Sequence, residues 1–260
     1  MKRIVTTFAL LAICAVPAFA TTLVSESFTY PNGNLVPNGG WAVYSGTPPT
    51  DIQVVSGRAV GNHANAPDDH LLFPVQLATS VTYACFDVII NPSAVPAPAP
   101  KPVYFLELKD AGATLLVSRV YVLPTSAGWT FGISHSSTSA TVGVTPWGAS
   151  LNYGQKYNVV INYDPNNHTS TLWVDPVNSG STNVTDTNAA ATAVAVQGVG
   201  LRQSGTASTL PPSPAYVGTD NIIYSVDNLG VGTSFDDSCV QYRSTPTTTS
   251  TWSHVKAIYR

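Results

Sequence analysis

Between Ser80 and Asp175 nearly every run of residues has strand character, and this most constrains what the chain can fold into. "SVTYACFDVII" (80–90), "VYFLELKD" (103–110), "TLLVSRVYVLP" (114–124), "GWTFGIS" (128–134), "KYNVVINYD" (156–164) and "TSTLWVD" (169–175) are rich in β-branched and aromatic residues. Turn residues separate them. "AGA" after Asp110 and "PNNH" after Asp164 both read as hairpin connections. Tyr157, Val159, Ile161 and Tyr163 alternate onto one face. Weaker runs precede ("LVSESF", "WAVY", "IQVV"), and others follow ("AVAVQGVGLRQS", "IIYSVDNLGVGTSF"). No segment has a convincing helical period. About a dozen strands without intervening helices predict an all-β fold of two stacked antiparallel sheets, a β-sandwich of the jelly-roll kind.

The first twenty residues predict an export signal. Lys2 and Arg3 form its basic end, "IVTTFALLAICAV" its apolar run, and Ala18-Phe19-Ala20 its cleavage pattern. The run is too short to cross a hydrocarbon core of about 30 Å, and no later stretch is longer, so no membrane span is expected after cleavage. The expected location is secreted, extracellular or at the cell surface. The chain has 11 Lys and Arg and 14 Asp and Glu. Two of the bases leave with the leader, which takes the mature net charge from −3 to −5. An acidic chain without a basic run excludes nucleic acid as a partner. Cys14 also leaves with the leader. Cys85 and Cys239 remain and predict one disulfide in an oxidising compartment, with two buried thiols as the alternative.

The expected layout is a signal over 1–20, a sandwich domain over 21–237, a Thr-rich spacer over 238–251 and a tail over 252–260. "NPSAVPAPAPKP" (91–102) and "TLPPSP" (209–214) read as rigid surface loops, because proline cannot donate to a strand ladder. In "WSHVKAIYR", Trp252, Val255, Ile258 and Tyr259 follow helical spacing. The tail reads either as a frayed or packed terminus or as a sorting or docking tag. A tag would need a cell-surface or secretion-machinery partner.

"ESFTYPNGNLVPNGGW", "YFLELKDAGA", "GWTFGIS", "YNVVINYDPNNHTSTLWVDP", "GLRQSG" and "VDNLGVGTSF", taken in order, resemble concanavalin A-like lectin/glucanase (laminin G-like) modules of secreted bacterial proteins. The resemblance spans residues 22–236. It implies a jelly roll whose face or rim loops bind glycan, with a structural Ca²⁺ at the edge. The positions it points to for the metal are Glu26 on the first strand and Asp227 on the last, with turn carbonyls near Gly33 and Gly40. An ion of this kind takes six to eight oxygen ligands. The closing "TWSHVKAIYR" is similar to short C-terminal tails of some exported bacterial proteins.

The glucanase-type catalytic motif needs two glutamates on one strand face. This chain has only Glu26 and Glu107. Glu107 reads as a solvent-face or salt-bridging residue, and Asp110 falls on the opposite face. His135 reads as a strand-end residue near water. "NHANAPDDH" (62–70) is the densest polar cluster and reads as a solvated loop. No serine-hydrolase elbow or zinc-ligand spacing is present. The expectation is therefore a carbohydrate-binding protein that is not an enzyme. Arg119, Tyr121, Trp129 and Trp147 are the candidates for contact with a glycan or polysaccharide. The alternatives are a structural or adhesive surface protein without a small ligand, and a divergent polysaccharide-cleaving enzyme.

Overall fold

The computed structural model describes residues 21–47, 50–63, 65, 67–92, 103–125, 128–135, 143–203 and 222–239. The predicted signal, the proline-rich stretches from residues 93 and 209, the spacer from residue 240 and the tail lie outside the described residues.

In chain order the first strands are β1 (Thr22–Glu26), β2 (Gly33–Asn34), β3 (Ala42–Ser45), β4 (Gln53–Val54), β5 (Ala59–Asn62) and β6 (Asp68–Leu72). Longer strands follow: β7 (Thr82–Pro92), β8 (Val103–Lys109), β9 (Leu116–Thr125) and β10 (Gly128–Ser134). After a short β11 (Thr145–Pro146) come β12 (Lys156–Asp164) and β13 (Thr169–Val174). β14 (Asn183–Thr187), β15 (Gly198–Leu201), β16 (Ile222–Gly232) and one helical turn, α1 (Phe235–Ser238), complete the described chain.

Among the described residues these strands make two antiparallel sheets. The nine-stranded sheet runs β14-β13-β12-β7-β16-β5-β4-β2, with β1 also paired to β16. The seven-stranded sheet runs β11-β10-β9-β8-β15-β6-β3. The β8–β9 and β12–β13 hairpins form where "AGA" and "PNNH" predict them. First and last strands lie together, with Glu26 opposite Leu229.

The core fills the space between the sheets. Tyr157, Val159, Ile161 and Tyr163 of β12 all enter it, as the alternation predicts. Phe105 sits 6.0 Å from Phe86, 6.3 Å from Phe131 and 5.3 Å from Tyr224, centroid to centroid. Burying each such side chain contributes roughly 1.5–3 kcal/mol. Leu106 and Leu108 point into the core. Strand alternation then turns Glu107 and Lys109 to the other face of the seven-stranded sheet.

Behind the nine-stranded sheet, Cys85 and Cys239 are bonded, with Cα atoms 5.3 Å apart. Val160 and Trp173 pack around the bond, and Phe235 packs on Tyr83 and Trp173. Ser238 and Cys239, just past the expected domain limit at 237, are buried. The disulfide holds this end of the described chain against β7. No helix among the described residues is long and apolar enough to cross a membrane.

Candidate functional site

The outward face of the seven-stranded sheet carries a dense polar and aromatic cluster. Glu107 on β8, Gly200 on β15, His70 on β6 and Ala42 on β3 form one cross-strand row. A Cβ at Gly200 would lie 2.1 Å from Glu107 Oε1, so glycine is what lets the Glu107 side chain lie across β15. It thereby accepts a short hydrogen bond from the Tyr44 hydroxyl of β3. The Tyr44 ring stacks on His70, with centroids 5.3 Å apart. Lys109 Nζ sits 4.5 Å from the Tyr44 centroid and 3.1 Å from His70 Nδ1. The same ammonium donates to the carbonyls of Asp110 (2.9 Å) and Gly112, which ties down the β8–β9 turn.

The second half of the cluster surrounds Tyr104. Tyr104 and Tyr121 are register partners on β8 and β9, their rings 5.4 Å apart. The Arg202 guanidinium lies 4.2 Å from the Tyr104 centroid and that of Arg119 lies 5.3 Å away. Arg202 Nε also approaches Asp68 Oδ2 at 3.8 Å. Such cation–aromatic contacts fix the planes of the guanidinium groups.

Burial sets the protonation pattern. It pushes the Glu107 carboxyl up to about 7, against the pull of the Tyr44 hydrogen bond. Burial and then the neighbouring Lys109 charge hold His70 down at about 4, so its ring is neutral at pH 7. Burial, then Glu107, drive the Tyr44 hydroxyl well above its usual value. Lys109 is lowered by burial. Lys109, Arg119 and Arg202 are thus interleaved with Asp68 and Glu107 across this face. Tyr44 and Tyr104 are its half-buried members.

Two of the four predicted glycan residues, Arg119 and Tyr121, belong to this cluster. Trp129 does not. It is fully buried in the core, 4.6 Å from Phe131 and 5.8 Å from Tyr157, because its strand parity points it between the sheets. Trp147 is half-buried and packs against the core, its amide bonded to Phe131 O. Glu107 is fully buried rather than solvent-facing. "DDH" is buried strand β6 rather than a solvated loop. His135 is buried too: its ring stacks on Tyr163 at 5.1 Å, and Nδ1 meets Ser170 Oγ at 3.0 Å. Ser170 Oγ meets Ser118 Oγ at 2.6 Å, and the Asp186 carboxylate holds the His135 amide instead of its ring. That seam joins the two sheets and exposes no nucleophile. Tyr44, His70, Tyr104, Glu107, Lys109 and Arg202 were not singled out as glycan residues from sequence. The alternating glycines of "GVGLRQ" are the signal that a neighbouring strand lays long side chains over β15.

Glu26 and Asp227 do not fit a shared calcium site. Glu26 Oε1 accepts the Phe28 amide at 2.6 Å, and Oε2 accepts Tyr30 Oη at 2.8 Å and Trp41 Nε1 at 3.1 Å. Asp227 Oδ2 pairs with Arg58 Nη1 at 3.1 Å, and Oδ1 accepts the Asn228 amide at 2.7 Å. Each carboxylate faces hydrogen-bond donors of its own. Among the described residues no three His, Cys, Asp or Glu side chains gather as metal ligands.

No protein-family model and no curated protein matches the sequence. Solved structures do. A sialidase matches with a TM-score of 0.55 at 12% identity over 84% of this chain, which spans only 19% of the sialidase chain. The alginate lyase Aly36B matches with a TM-score of 0.52 at 12% identity, over 82% of this chain and 97% of the lyase. The CBM2 module of the evolved Dit of Lactobacillus casei BL23 phage J-1 matches with a TM-score of 0.51 at 14% identity, over 82% and 96%. The fold is a concanavalin A-like jelly roll. That jelly roll overturns the expectation of a protein that is not an enzyme, because it is shared with an alginate lyase and a sialidase. Lacking a glucanase carboxylate pair rules out one chemistry on the jelly roll, not catalysis by other residues on it.

Proposed function

We propose that this protein binds a uronate-bearing polysaccharide on the outward face of its seven-stranded sheet and cleaves it by β-elimination. The carrying observation is the pair of guanidinium groups, Arg119 and Arg202, laid on Tyr104 beside the Tyr44–Glu107 hydrogen bond. A face that lays two guanidinium groups on aromatic rings favours an anionic sugar chain over a neutral one. The fold shared with an alginate lyase is consistent with this reading.

In the reaction, the arginines hold the uronate carboxylate and stabilise the negative charge that develops when the C5 proton leaves. Tyr44 Oη takes that proton as its own passes to Glu107 Oε1. With a carboxyl near 7, Glu107 is matched to this exchange at neutral pH. The C4–O bond breaks and a C4=C5 double bond forms. His70 accepts from Lys109 at Nδ1, so its Nε2–H can protonate the departing oxygen while the Lys109 ammonium passes a proton to Nδ1 and the ring ends neutral.

The test is incubation with alginate, a glucuronan and a neutral glucan, reading the ultraviolet absorbance of the conjugated product. Absorbance is expected to rise with a uronate polymer only. Tyr44→Phe is expected to lower kcat at least about 100-fold with KM little changed. Arg119→Ala is expected to raise KM as well. No unsaturated product from any uronate polymer overturns the reading.

A further inference from the structure

Beside the outward cluster, at the end of β6, lies a cavity of about 410 Å³. Clefts that hold small ligands span roughly 300–1,000 Å³. Leu72, the last residue of β6, joins this cavity to the cluster. It follows His70 by two residues on the strand and so shares its outward face. At Gly198 of β15 a Cβ would lie 3.0 Å from Leu72 Cδ2 and 3.4 Å from Lys109 Cγ, so both side chains lie over that glycine. Leu72 is 43% exposed, and it also lines the cavity. A ligand resting on His70 and Lys109 therefore reaches the cavity across one apolar side chain. Strand rise puts Leu72 about 7 Å beyond His70, the scale of one sugar unit.

The cavity differs from the cluster in its chemistry. Ser25, Ser27 and Thr29, alternate residues of β1 and the chain just after it, line one side and are all exposed. Tyr30 and Leu71, both partly buried, add carbon surface. Glu26 is the one charged residue of the lining, and its oxygens already accept from the Phe28 amide, the Tyr30 hydroxyl and the Trp41 indole. The lining holds no Lys, Arg or His. Hydroxyl side chains exchange hydrogen bonds with sugar hydroxyls, and carbon surface packs against a sugar ring. A sugar carboxylate placed here would face the Glu26 charge with no cation to offset it. The arginine-bearing cluster and the hydroxyl-lined cavity thus suit two different sugars.

We propose that this cavity is a subsite for a neutral sugar residue, and that the substrate is a heteropolysaccharide in which uronate and neutral sugars adjoin along one chain. The inference rests on the function proposed above: Arg119 and Arg202 hold the uronate, and the cavity holds its neighbour across Leu72. Ser25, Ser27 and Thr29 read the hydroxyls of that neighbour, while Leu72 and Tyr30 meet its ring.

The experiment is calorimetric titration of the full-length protein carrying Tyr44→Phe, in which the proposed cleavage is slow. The ligands are a glucuronan tetrasaccharide and a tetrasaccharide in which glucuronate alternates with glucose. Attraction to the arginines alone favours the first, which carries more charge. The alternating ligand is nevertheless expected to bind about tenfold more tightly, the worth of two neutral hydrogen bonds. Ser27→Tyr and Thr29→Tyr fill the cavity from exposed positions. Each is expected to remove that preference and to leave the affinity for the glucuronan ligand unchanged. The proposal is overturned if the alternating ligand binds no more tightly than the glucuronan ligand. It is overturned equally if both tyrosine variants keep the preference. Formation of unsaturated product by the wild type tests the reaction separately, so the cleavage and the subsite can fail independently.

Discussion

The two glutamates of this chain lie in opposite circumstances, although both are buried. Glu26 is enclosed by donors: the Phe28 amide, the Tyr30 hydroxyl and the Trp41 indole. Around it the chain takes costly conformations. Phe28 is left-handed at φ 50°, unusual for a bulky residue, and its ring packs 5.9 Å from that of Trp41. Gly39, at φ 57°, leaves room for Tyr30, because a Cβ there would meet its hydroxyl at 1.8 Å. Glu26 closes the loop after β1, and nothing about it is left for chemistry. Glu107 has one donor, Tyr44, and its Oε2 is buried without a partner. Burial is the same; the number of donors differs. A carboxylate supplied with donors acts as a structural clasp, and one short of them keeps a proton near neutrality and can exchange it.

The largest way to break this contrast is Glu26→Ala. It strands three donors and releases Phe28, and a loss of about 3–5 kcal/mol in urea unfolding is expected. Glu26→Gln keeps one acceptor oxygen and is expected to lose roughly half of that. Gly200→Ala comes next. Its methyl group would collide with Glu107 Oε1, and overpacking of this kind costs about 1–3 kcal/mol. The same change is expected to pull Glu107 off Tyr44, which should appear as loss of the proposed cleavage at unchanged secondary structure.

The smallest effect sharpens the contrast. Glu107→Gln is expected to change stability by less than about 1 kcal/mol at pH 5, where the wild-type carboxyl is protonated. The folded carboxyl is raised to about 7 from an ordinary 4.5, so the folded state binds more protons between those values. The stability it contributes is complete below pH 4.5 and is lost as pH rises through about 7. Urea midpoints from pH 4 to 8 should therefore fall less steeply for Glu107→Gln than for wild type. Asp69 supplies a remaining slope of the same sign, since its carboxyl is also raised to about 7.

Legibility in the sequence follows the range of each interaction. The β8–β9 and β12–β13 hairpins were readable because turn residues and period-two alternation act within some twenty residues. Cys85 and Cys239 were the one candidate pair, and the structure decides between a bond and two buried thiols. Trp129 was misread because alternation divides a strand into two faces without saying which one is the core. Glu107 was misread for a related reason. Its position between Leu106 and Leu108 places it away from the core, but it cannot show that Gly200 opens a path to Tyr44. In "DDH" both faces of one strand are buried, Asp68 and His70 on one side and Asp69 on the other, so polarity pointed to solvent where there is none.

The sequence alone determined the all-β character, the hairpins and the candidate disulfide. These depend on local propensity, on turn chemistry and on the scarcity of cysteine. Only the tertiary structure decided the role of each polar residue. The outward cluster draws Tyr44, His70, Glu107, Lys109, Arg119 and Arg202 from β3, β6, β8, β9 and the end of β15, and chain order does not reveal that these strands are neighbours. A carboxylate's chemistry is set by the donors that reach it, and those come from residues distant in sequence. For that reason Glu26 became a clasp and Glu107 a candidate acid–base group.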